Sequence, residues 1–85
     1  MINTAKEAYV ELMKNVKNLD AIRCVEYEDV YVFAVAPLGF IVTDKTRLLN
    51  ALYKVDKNTG KVSIFQPFKM PTEKYLSGVE IEDFK

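Results

Sequence analysis

The chain has 85 residues, 49% hydrophobic and 28% charged, with no histidine, no tryptophan and a single cysteine. That composition is globular and predicts one domain over residues 1–85; it excludes an internal disulfide framework and removes the commonest general base and metal ligand. Twelve basic residues balance twelve acidic ones, without the basic excess of a nucleic-acid binder, so no nucleic-acid partner is expected.

The opening "MINTAKEAYV" lacks the apolar core of a signal peptide. The longest apolar run, "VYVFAVAPLGFIV" at 30–42, is shorter than the roughly 20 residues of a membrane span and is broken by Pro37 and Gly39. The expectation is a soluble, cytoplasmic protein without membrane contact. Residues 4–18 predict an amphipathic helix. Ala5, Ala8, Tyr9, Leu12, Met13 and Val16 line one face, while Lys6, Glu7, Glu11, Lys14 and Lys17 keep the other wet. Thr4 with Glu7 forms a capping box, and Asn18 is the expected stop.

Strand signals follow. "AIRCVEYE" (21–28) alternates, with Ile22, Cys24 and, at the end of the run, Glu26 on one face and Ala21, Arg23, Val25 and Tyr27 on the other. Glu28 and Asp29 supply a turn, and "DVYVFAVA" (29–36) is apolar on both faces, as in a covered central strand. After the break at Pro37–Gly39, "FIVTD" resumes the strand or starts a short one, and 44–50 reads as a loop. "LYKV" (52–55) and "KVSIF" (61–65) flank Asp56-Lys57-Asn58-Thr59-Gly60. This is a hairpin loop in which Asp56 bonds the amides ahead of it and glycine takes the left-handed position. "MPTEKYLSG" predicts a short helix capped by Thr72, pinned by Tyr75 and Leu76 and ended at Gly78. "VEIEDFK" is either an edge strand or an acidic tail. The order defines an α+β fold, one helix packed across an antiparallel sheet of about four strands, cystatin-like in outline, with a short C-terminal helix.

The chemistry-bearing residues do not assemble into a catalytic set. Cys24 lies mid-strand among apolar neighbours and reads as a small buried hydrophobe rather than a nucleophile. No phosphate-binding glycine pattern occurs, and the 56–60 loop has too few carboxylates for a calcium site. Glu26, Glu28 and Asp29 crowd a turn rather than frame a substrate. The expectation is a non-enzymatic chain with no cofactor and no metal. Residues 20–29 hold four acids and 45–74 hold seven basic residues. These regions either neutralise each other across strands or form a two-signed docking surface.

The pattern Tyr53-x-Val55-Asp56-Lys57-x-Thr59-Gly60-Lys61-Val62, then Phe65-x-Pro67 and a short helix, resembles one in small uncharacterised proteins of Gram-positive phages and prophages. It is also similar, more loosely, to the hairpins of cystatin-like propeptide domains and of toxin-immunity proteins. The resemblance implies a phage accessory or structural protein that binds another protein. The alternative is a stand-alone inhibitor or immunity protein that masks an enzyme. Because β-apolar "VYVFAVA" exceeds what one helix covers, self-association or docking through the sheet face is expected. The candidate contact residues are Tyr31, Phe33, Phe65, Phe68 and Tyr75.

Overall fold

The computed structural model describes residues 1–37, 51–66 and 71–85. The "FIVTD" segment, the 44–50 loop and Phe68 lie outside the described residues. Helix α1 spans Ala5–Asn15, strand β1 Leu19–Glu26, β2 Val30–Pro37, β3 Ala51–Asp56 and β4 Val62–Ile64. Helix α2 follows at Thr72–Leu76 and strand β5 at Val79–Ile81. The strands form one antiparallel sheet in the order β4-β3-β2-β1-β5. The expected α+β arrangement is present, with five strands instead of about four, because "VEI" pairs with β1 rather than forming a tail.

Helix α1 is fixed by its own first turn. The Glu7 amide donates to Thr4 Oγ1 at 3.1 Å, and Glu7 Oε2 accepts from the Asn3 amide at 3.2 Å. The carboxylate thus reaches one residue further back than the usual reciprocal box. The helix ends at Asn15, before Asn18, which instead takes a positive φ of 61° in the turn into β1. Ala5, Ala8 and Leu12 are buried, as the spacing predicts.

Strand β1 departs from simple alternation. Its register with β2 shifts between Ala21 and Arg23, a bulge at Ile22. Two residues there oppose one on the partner strand, so the side-chain phase slips. Ala21 and Cys24 therefore share the core side while Ile22 is exposed, which reverses the assignment by alternation. Strand β2 is central and buried on both sides. Tyr31, Phe33 and Val35 join α1, Cys24, Val55 and Phe84 in the larger core, whereas Val30 and Val32 join Tyr27 and Phe65 in a second cluster on the opposite face.

The hairpin between β3 and β4 forms as expected. Asp56 Oδ1 accepts from the amides of Asn58 (2.8 Å) and Thr59 (3.0 Å), and Gly60 sits at φ 75°. Helix α2 differs in its cap. Pro71, not Thr72, occupies the N-cap position and no side chain closes the first turn. Leu76 points away from the body of the protein, so α2 is held by Tyr75 against Tyr27 and by Lys74 on Asp29 at 3.2 Å.

Candidate interaction surface

Among the described residues, Glu26, Asp20 and their lysine and tyrosine partners are engaged in holding the fold. Glu26 Oε2 accepts from Lys57 Nζ at 2.7 Å, and that ammonium lies 4.8 Å from the centre of the Tyr31 ring. The Lys57 bond holds the Glu26 carboxyl below its ordinary range, while burial and the neighbouring Glu26 charge push the Tyr31 phenol up to about 12. Asp20 is arranged alike. Its Oδ2 accepts from Lys85 Nζ at 2.8 Å, and its Oδ1 from Tyr9 Oη at 2.8 Å and the Ala21 amide at 2.9 Å. Lys85 dominates in lowering the Asp20 pKa, and the bond to Asp20 raises that of Tyr9. The Cys24 thiol is pushed up to about 12, by burial first and by Glu26 second. A thiol so raised is protonated at neutral pH and makes a poor nucleophile.

Charge is distributed through these same pairs. The acidic 20–29 segment meets the basic segment through Glu26–Lys57 and Asp29–Lys74, which are cross-element neutral pairs. Arg23 bonds Glu80 on β5 through Nε (2.8 Å) and Nη2 (2.7 Å), tying the edge strand to β1. Among the described residues no group of three acid or thiol side chains lies close enough to hold a metal ion.

The sequence-derived candidates separate into two places. Tyr31 and Phe33 lie beneath α1, with Phe33 wholly enclosed and edge-on to Phe84 at 5.7 Å. They present no surface to a partner. Phe65 packs on the opposite face beside Tyr27 at 6.2 Å, and Tyr27 meets the tilted ring of Tyr75 at 6.4 Å. Tyr75 remains 43% exposed. Beneath it, Val25, Tyr27, Val32, Leu52 and Phe65 wall a cleft of about 70 Å³ with Arg23 at its rim. That is far below the several hundred Å³ of a small-molecule site and is the size of a small side-chain fragment.

Leu76, 75% exposed, adjoins Tyr75 at this corner, whereas Val79, 60% exposed, pairs with Glu26 and so lies on the α1 side of the sheet. Both stand at the passage from α2 into β5. Sequence reading assigned Leu76 to the interior because helical spacing alone cannot say that only one side of a five-residue helix meets the body. The available signal was length: α2 is too short to carry a wide buried stripe. Gly78, between them, allows the close approach, since a β-carbon there would stand 2.6 Å from Val25 Cγ1.

No family model matches the chain, and neither a curated protein nor a solved structure matches it. Among the described residues no helix is long and apolar enough to cross a membrane.

Proposed function

We propose that this chain is a non-enzymatic protein that acts by binding another protein through the α2–β5 corner. The observation that carries the reading is the exposure of Tyr75 and its chain neighbour Leu76 at the aromatic cleft of Tyr27 and Phe65, which Tyr75 itself lines. Large apolar side chains gathered beside a small apolar cleft are what an interface offers as anchor and socket. The engagement of Asp20, Glu26 and the Cys24 thiol in structural contacts supports binding over catalysis.

The hairpin resemblance supplies the setting: an accessory or structural protein of a phage or prophage, working in a reducing cytoplasm. Balanced charge, with acids and bases joined across elements, supports a protein partner rather than a nucleic acid. Capture from host or infected-cell extract, followed by mass-spectrometric identification, tests the proposal. A capsid or tail component that depends on Leu76 supports the accessory role. An enzyme whose activity falls on capture supports the inhibitor role instead. Retention of nothing that depends on this corner refutes both.

A further inference from the structure

Strand β4 is an outer strand of the sheet, and hydrogen-bond parity identifies its free groups. The Phe65 amide donates to the Leu52 carbonyl and the Asp56 amide to the Lys61 carbonyl, each at 2.9 Å. Bonded pairs recur at every second residue of an antiparallel ladder. Lys54 and Ser63, aligned between these two pairs, are therefore bonded as well. Val62 and Ile64 consequently turn their N–H and C=O groups away from β3. No partner for these four groups occurs among the described residues. The Ile64 side chain is 68% exposed. It continues to the sheet edge the apolar row that Val62 and Tyr53 begin under α1.

We propose that β4 pairs antiparallel with β4 of a second copy of this chain, about a two-fold axis at Ser63, joining two sheets into one. That register sets Val62 of each copy opposite Ile64 of the other, and both are the outward-bonding residues a ladder requires. Shifting it by one residue brings inward-bonded residues to the seam. Shifting it by two engages Gly60, at φ 75°, or Gln66, both outside the strand. The side chains are self-complementary in the same register. Ile64 meets Val62 on the α1 side, Ser63 meets Ser63 on the other, and Lys61 falls opposite Phe65, so like charges do not oppose. A second copy is thus the occupant that satisfies polar, apolar and charged positions together. The seam lies at the opposite edge of the sheet from β5 and does not depend on the proposed docking corner.

Sedimentation velocity on the full chain, from about 10 µM to about 1 mM where small interfaces associate, tests the pairing. The expected result is a monomer that converts to a dimer as concentration rises. Ile64→Lys should abolish that conversion while leaving the circular-dichroism spectrum unchanged, because the side chain is exposed. Amide hydrogen exchange on the unaltered chain provides the second readout. The Val62 and Ile64 amides should gain protection several-fold between the dilute and concentrated ends, whereas Ser63, already bonded to β3, should not change. A monomer throughout, a dimer that persists in Ile64→Lys, or Val62 and Ile64 amides indifferent to concentration would each overturn the proposal.

Discussion

Gly78 packs so tightly against Tyr27 that a β-carbon at position 78 would stand 2.7 Å from Tyr27 Cζ and 2.8 Å from Cε1. This contact closes the chain between α2 and β5 onto the sheet, and it lets Tyr75 reach the same ring at 6.4 Å. Gly78 is not among the residues with positive φ, so its role here is space rather than backbone freedom.

Gly78→Ala should therefore destabilise the protein by about 1–3 kcal/mol, the scale of overpacking a filled site. The loss should appear as a lower denaturation midpoint in urea. Tyr27→Leu removes the obstructing ring atoms but leaves Val25 Cγ1 at 2.6 Å, so Gly78→Ala should be partly, not fully, relieved in the double variant. Equal losses in both backgrounds would mean that the glycine serves something other than this contact.

The β3–β4 turn gives a contrasting glycine. At φ 75° Gly60 has only Ile2 Cδ1 near its would-be β-carbon, at 3.9 Å, so the obstacle there is conformational. Gly60→Val should cost about 1–2 kcal/mol, the penalty of a left-handed residue with a side chain. Asp56→Asn should lower the melting temperature less, since an amide oxygen can still accept from Asn58 and Thr59. Added calcium should leave the melting temperature unchanged. A rise of several degrees with calcium, lost in Asp56→Asn, would show that the turn is a cation site instead.

The acid and alkaline limits of stability follow from the paired groups. Asp20 and Glu26 titrate below their ordinary range because Lys85 and Lys57, respectively, bond their charged forms. A carboxyl depressed on folding contributes stability above its unfolded pKa and loses it as pH falls through the folded value. The melting temperature should therefore decline from about pH 5 downward, past the usual carboxylate range. At the other end burial raises Tyr31 to about 12 and also raises Tyr27, while the Asp20 bond raises Tyr9. Phenols raised on folding stabilise below their unfolded value of about 10 and withdraw that stability as pH climbs beyond it. Glu26→Gln should flatten the acid decline, measured by thermal melts from neutral pH downward. A decline of undiminished slope would detach Glu26 from it.

What was legible in the sequence was mostly local. Thr4, Glu7 and the apolar spacing of α1 act within one or two helical turns, and Asp56 and Gly60 determine their turn within five residues. The two-faced burial of β2 was also legible, because its residues are apolar at every position. Which face α1 would cover was not. That depends on the bulge at Ile22 and on where the helix lands across β1, β3 and β4, both tertiary outcomes. Tyr31 and Phe33 consequently read as candidate contacts yet form the core. For Leu76 the one local signal was the shortness of α2, because an exposed leucine and a buried one otherwise look alike until the surrounding chain is placed. The joining of β5 to β1 through Arg23 and Glu80 likewise spans 57 residues, beyond any local pattern.

The most direct measurement of the account is a comparison of capture by the unaltered chain, Leu76→Asp and Val10→Asp. Val10 is an exposed apolar residue on the solvent side of α1, 52% accessible, and serves as the control for a new charge. All three proteins should fold, as judged by circular dichroism, because both substituted side chains face water. The expected result is a retained protein that Val10→Asp still holds and Leu76→Asp has lost by at least tenfold, a change of about 1.4 kcal/mol in binding. A partner retained equally by all three, or lost equally by both variants, would contradict docking at the α2–β5 corner.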